Sequence, residues 1–78
     1  MDRLTVESAL RKAITTCVGL EDVDLSKPMK HYEISSLDNV EIISMTTRSL
    51  KVKAPRAELL KAQNMDQLVD VIVRAAAG

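Results

Sequence analysis

Apolar residues recur along most of this chain at three- and four-residue steps, a period that an α-helix satisfies by turning one face to a core. From about Arg3 to Val18, the set Val6, Leu10, Ala13, Ile14, Cys17 and Val18 draws such a face, with Asp2 or Thr5 placed to cap it and Gly19 to stop it. A second helix is predicted from about Ser36 to Leu50. At about 100° per residue, Val40, Ile42, Ile43, Thr46, Thr47 and Leu50 cover one broad arc of it and turn inward. Pro55 suits the opening of a short third helix over about Arg56 to Ala62, with Leu59 and Leu60 facing the core. Asn64, with Gln67 three places later, signals a fourth helix whose stripe is Met65, Leu68, Val69, Ile72 and Ala75 or Ala76. The expected fold is all-α: an up-and-down bundle of three longer helices and one short one.

Residues 19–35 keep no period. Gly19, Asp22, Asp24, Ser26 and Pro28 break it, while Leu20, Val23, Leu25, Met29, Tyr32 and Ile34 stay apolar. A loop this long in a compact domain is functional or held by its own side chains, so these apolar residues are expected to staple it over the bundle. Tyr32 is expected to pack its ring and leave its hydroxyl in water. It is the sole aromatic residue, there being no Phe or Trp, so the core must be built from aliphatic side chains. Such a core parts to admit an aliphatic guest more readily than stacked rings do. With 78 residues, one domain over 1–78 is expected, with little room for a catalytic cavity.

Eleven basic and eleven acidic residues give zero net charge, which argues against nucleic-acid binding by bulk electrostatics. Cys17 is the only cysteine, so no internal disulfide can form and a cytoplasmic location is expected. Its place on the apolar stripe marks it as a small buried hydrophobe. No apolar run approaches membrane-spanning length, so no membrane insertion is expected, and nothing at the start points to export. His31 stands without a second metal-ligand residue at suitable spacing, which makes it a partly exposed loop residue and leaves no metal site. Ser36, His31 and Asp38 lack the glycine elbow and the second loop that a hydrolase triad needs. Gly19 and Gly78, the only glycines, cannot make a phosphate-cradling loop. No catalytic residue is assigned.

What remains is the junction Glu33-Ile34-Ser35-Ser36-Leu37-Asp38-Asn39-Val40-Glu41-Ile42-Ile43, where irregular chain runs into the second helix with two serines at its mouth. Either serine suits the N-cap, and a phosphate ester there would meet unpaired N–H groups and the positive end of the helix dipole. Ser36-Leu37-Asp38, followed by an apolar helix, resembles the modification site of the acyl carrier protein family. The likeness runs without a gap from about Met29 to Ile72 and includes Pro55, Glu58, Lys61, Asp70, Val71 and Ile72.

The resemblance implies an acyl-carrier-like bundle that is not itself an enzyme. Ser36 would hold covalent 4′-phosphopantetheine, flanked by Ser35 and Leu37, and the arm's thiol would carry acyl intermediates as thioesters in fatty-acid, lipid or polyketide-type biosynthesis. It implies a docking face at Leu37, Asp38, Glu41, Met45 and Arg48, and an acyl pocket near Ile42, Met45, Thr46, Leu59 and Ala62. Expected partners of this monomer are a phosphopantetheinyl transferase and acyl-transferring, condensing or ligase enzymes. A peptidyl or aminoacyl carrier is a variant; an unmodified helical interaction adaptor is the alternative. The family's acid before the modified serine is Ser35 here, its common acids at positions 47 and 48 are Thr47 and Arg48, and it often has glycine where Glu33 stands. Either poorer modification by the usual transferase or a dedicated one, altered docking charge and a local difference in backbone before the site are therefore expected. Arg48, Lys51, Lys53 and Arg56 form a basic patch that reads foremost as solvated surface.

Overall fold

The computed structural model describes residues 1–77, and among them there are helices and turns and no strand. Helix α1 spans Arg3–Val18, α2 Ser36–Leu50, α3 Arg56–Leu60 and α4 Met65–Ala77, and a turn of 3₁₀-helix over Met29–Tyr32 interrupts the first loop. The radius of gyration, 11.1 Å, sits close to the roughly 11.5 Å of a folded chain this long. Helix α1 packs chiefly against α2, and α4 closes on α1 and α3.

The end signals of α1 act as the sequence implies. Asp2 caps it by accepting from the Thr5 N–H at 2.8 Å, and Gly19 ends it in the left-handed region, at φ 74°. The stripe buries Val6, Leu10, Ala13 and Ile14 completely or nearly so, whereas Cys17 and Val18 are half-buried at the edge of the core. On α2 the inward arc is narrower than expected. Ile42, Ile43 and Thr46 are buried, while Val40, Thr47 and Leu50 are half-buried. Thr46 sits at zero exposure because its hydroxyl donates to the Ile42 carbonyl at 2.8 Å, so no polar group there is left without a partner. Helix α4 buries Met65, Leu68, Val69 and Ile72 as expected, and Val71 in addition.

The short helix departs from expectation. Pro55 is the extended residue before it, and the helix closes at Leu60 instead of reaching Ala62. Leu59 is buried but Leu60 is 53% exposed. Consecutive residues point about 100° apart, so a single turn lying on the surface can bury only one of an adjacent pair.

Residues 19–35 are pinned by backbone as much as by side chains. Val23, Leu25 and Ile34 are buried in the common core. Arg11 donates to the Val23 carbonyl at 2.7 Å, Thr15 to that of Leu20 at 2.8 Å, and the Asp66 N–H to that of Leu25 at 2.9 Å. The Tyr32 hydroxyl is not simply left in water: it accepts from the Asp24 N–H at 2.7 Å and ties the loop to itself. Across the bundle, Arg3 pairs with Asp66 at 3.2 Å and with Asp70, joining the start of α1 to α4.

An alanine Cβ at Gly19 would meet nothing within 4 Å, so the cost of Gly19→Ala is that of the left-handed backbone alone. Thermal melts are expected to show about 1 kcal/mol of destabilisation, roughly 4–8 °C in Tm; an unchanged melt would mean that the helix end does not need this conformation. The Ser26 hydroxyl and N–H both donate to the Asp24 carboxylate and hold its pKa below the ordinary value. Its contribution is therefore present above the unfolded pKa of about 4 and lost as pH falls through the lower folded value. Tm should drop more steeply below about pH 4 in the wild type than in Asp24→Asn, and parallel curves would refute this assignment.

Candidate functional site

Chain enters the site through the 3₁₀ turn. Pro28 leads in with extended backbone, His31 N–H donates to the Pro28 carbonyl at 3.0 Å, and Glu33 reverses the path at φ 58°, ψ 31°. That left-handed conformation costs a side-chain-bearing residue about 1–2 kcal/mol and suits glycine best. A glycine at this position would make the same turn with less strain. Ile34 is then buried and anchors the last residue before the serines.

The two serines have different surroundings. Ser35 is the N-cap: its backbone is extended and its Oγ accepts from the Asp38 N–H at 3.1 Å. Ser36 is the first helical residue, exposed, and its hydroxyl has no hydrogen-bond partner among the described residues. At about 100° per residue, Ser36 lies on the side of α2 that carries Val40, Ile43 and Thr47, which is the side facing α3.

Two cavities of about 200 Å³ each open on that side. One is lined by Val40, Ser44, Thr47, Arg56 and Leu60; the other by Met29, Lys30, Asn39, Ala62 and Gln63, with Ile43 and Leu59 shared between them. The five residues expected around a guest are not gathered in either. Leu59 and Ala62 line the cavities, whereas Ile42 and Thr46 have zero exposure and point into the core. Met45 borders a separate hollow of about 120 Å³ between α1 and α2, beside Ala13 and Thr16. The inward face of α2, with Ile42 and Thr46, and its α3-facing side lie about a quarter-turn apart.

The outward stripe of α2 is made of Leu37, Glu41, Ser44 and Arg48, all exposed, within about 60° of one another. Leu37 is 81% exposed, the most open large apolar side chain of the chain. Asp38 and Met45 are half-buried and turned toward α1. The Cys17 thiol registers this: burial pushes its pKa up, and the nearby charges of Glu41 and Asp38 add to the rise. It therefore stays protonated at neutral pH and is a poor nucleophile. Arg48, Lys51, Lys53 and Arg56 are all exposed, and none forms an ion pair among the described residues.

His31 lies in the 3₁₀ turn with its ring edge-on to Tyr32, centroids 4.9 Å apart, and makes no side-chain hydrogen bond to Ser36 or Asp38. Among the described residues no group of three or more His, Cys, Asp or Glu is placed to hold a metal ion, and no helix is long and apolar enough to cross a membrane. Sequence reasoning missed Asn39, whose Oδ1 is buried without a hydrogen-bond partner. Its identity gave no signal; only the packing of the first loop and α3 around it does. No family model matches the chain, and neither a curated protein nor a solved structure does.

The unequal surroundings of the serines have a measurable consequence. Ser35→Ala removes the cap and is expected to cost about 1 kcal/mol, whereas Ser36→Ala should leave stability within about 0.5 kcal/mol of the wild type in denaturant titrations. Equal losses would mean that both hydroxyls serve the helix.

Proposed function

We propose that this chain is an acyl carrier: Ser36 holds 4′-phosphopantetheine through a phosphodiester, and the arm presents thioester-bound acyl groups to other enzymes. The observation that carries the reading is the free, exposed hydroxyl of Ser36 at the first position of α2, beside a serine that already caps the helix. A phosphate ester there would sit near the unpaired N–H groups and positive dipole end of a 15-residue helix. The group would supply the thiol nucleophile, chemistry that the half-buried Cys17, with its raised pKa, does not offer. Ser36-Leu37-Asp38 and the gapless likeness from about Met29 to Ile72 to the acyl carrier protein family supply the identity of the arm.

Under this reading the outward stripe of α2 is the docking surface. Leu37 is an apolar anchor beside Asp38 and Glu41, and Arg48 marks where the charge changes sign. The partners would be a phosphopantetheinyl transferase and the enzymes that load, extend or remove the acyl group. A carrier for peptidyl or aminoacyl groups uses the same site. The contrasting reading, an unmodified interaction adaptor, draws on Ser35 in place of an acid and on the same exposed face.

Mass spectrometry after co-expression with a phosphopantetheinyl transferase separates the two. One phosphopantetheinyl group is expected on the wild type and none on Ser36→Ala; a wild type that stays unmodified with several transferases leaves the adaptor. Since Asp caps as well as Ser, Ser35→Asp is expected to keep stability within about 0.5 kcal/mol while speeding modification several-fold. A slower reaction with an unchanged melt would show that Ser35 is itself part of what the transferase reads.

A further inference from the structure

Between Ile42 and Met65 the chain carries five basic residues, Arg48, Lys51, Lys53, Arg56 and Lys61, and one acid, Glu58. The zero net charge of the whole is thus the sum of a basic pole and an acidic remainder. All five cations are exposed. Among the described residues every ion pair has Arg3 as its cation, with Glu7, Asp66 and Asp70 as partners, so none of these acids neutralises the pole. Glu58 stands two residues past Arg56, about 200° around α3, on a different side of that helix.

The fold accounts for only part of this charge. Arg48 and Lys51 balance the negative end of the α2 dipole. Lys53 lies in the loop, and Arg56 opens α3, at the end of a helix where a cation is unfavourable. Arg48, Lys51, Lys53 and Arg56 also repel one another. An apolar group sits beside them: Leu60, 53% exposed, follows Arg56 by one turn and shares its side of α3. An exposed apolar side chain next to arginine is the make-up of a protein-docking surface.

We propose that this pole docks an acidic segment of a partner protein, with carboxylates meeting Arg48, Lys51, Lys53 and Arg56 and an apolar side chain resting on Leu60. Guanidinium groups pair bidentately with carboxylates, and cations spread over a loop suit an extended acidic surface better than a point anion. A compact phosphate is held by converging backbone N–H groups, whereas those of Lys51 and Val52 already donate to the Arg48 and Thr47 carbonyls. Single-stranded nucleic acid stacks on aromatic platforms, and a lipid surface is gripped by a broad apolar face with aromatic anchors; Tyr32, the sole aromatic residue, lies in the first loop. Arg48 lies about 18 Å along α2 from Ser36, so a partner held at the pole leaves the serine open. The inference does not depend on modification of Ser36, and its test uses the unmodified full chain.

Backbone amide spectra are titrated with a short glutamate-rich peptide carrying one central leucine, at about 0.15 M salt, where the Debye length is about 8 Å. Shifts are expected to centre on residues 48–60. Lys53→Glu with Arg56→Glu, neither of which removes support from a helix end, should weaken binding about tenfold while the melting temperature holds or rises. The same two reversals at Lys12 and Lys27, exposed cations outside the pole, should leave affinity within about twofold. Leu60→Ser should weaken the leucine peptide several-fold and leave its serine-for-leucine counterpart unchanged. No binding, shifts centred elsewhere, equal losses from both pairs of reversals, or no loss of the leucine peptide in Leu60→Ser would overturn the proposal. So would tighter binding of anionic phospholipid vesicles, a DNA duplex or inorganic phosphate that the Lys53 and Arg56 reversals abolish. A chain that binds the peptide yet is never modified loses the carrier reading and keeps this one.

Discussion

The hydrogen bond from the Asp38 N–H to Ser35 Oγ decides where α2 begins, and the rest of the surface follows from that start. Had Ser36 served as the cap, its hydroxyl would have been turned back onto the N–H groups of the first turn and its backbone would be extended. With Ser35 in that role, Ser36 is helical, and its side chain leaves the helix on the α3-facing side without a bond of its own. The buried Ile34 and the left-handed Glu33 hold the cap in place from behind. A strained residue, a buried anchor and a capping hydroxyl in succession fix the geometry of a position that carries no contact itself.

Helix α2 does several things at once because its faces differ. Ile42 and Thr46 belong to the core, Met45 and Ser49 border the hollow along α1, Val40, Ile43 and Thr47 line the space under α3, and Leu37, Glu41 and Arg48 meet solvent. Asp38 in its first turn and Arg48 in its last oppose the helix dipole at both ends, so part of the charge asymmetry stabilises the helix itself. Lys51, the C-cap, adds a second cation at that end, whereas Lys53 and Arg56 lie beyond it. Any surface approaching the outward stripe therefore meets acid at Glu41 and base at Arg48, about 10 Å further along the helix at about 1.5 Å per residue.

How far this could be read from the chain depended on whether local chemistry or tertiary placement decided the matter. Both ends of α1 and the start of α2 follow from Asp2, Gly19 and the serine pair, whose capping roles act over one turn and are legible without the fold. Asn64 and Gln67 likewise start α4, although Gln67 reaches the N–H of Gln63 and not that of its own cap. The turn over Met29–Tyr32 was hidden because a 3₁₀ segment has no apolar period, and the outward turn of Leu60 because only Leu59's burial excludes it. That Ile42, Thr46 and Met45 face elsewhere than the cavities under α3 was hidden for the same reason. An arc of apolar side chains says which part of a helix avoids water, but not which neighbour each one faces. Asn39 was invisible, since an orphaned acceptor is a property of everything packed around it.

The serine before Ser36 shows how a departure from a family pattern can be sorted by physics. Asp, Asn and Ser cap helices about equally well, so exchanging one for another leaves the start of α2 and the exposure of Ser36 as they are. What changes is charge: an aspartate would place a second carboxylate within a turn of Asp38, next to the Ser36 hydroxyl. Glu33, two residues earlier, is the reverse case, where the side chain bears a backbone strain that glycine would not. One substitution therefore acts on what approaches the site and the other on the stability of the turn that presents it. The same sorting applies at positions 47 and 48: the Thr47 hydroxyl bonds back to the Ile43 carbonyl within α2, while Arg48 changes the sign of the outward stripe. Ser35 and Arg48 thus alter charge without altering the start or the course of α2, whereas Glu33 acts on the turn that leads into it.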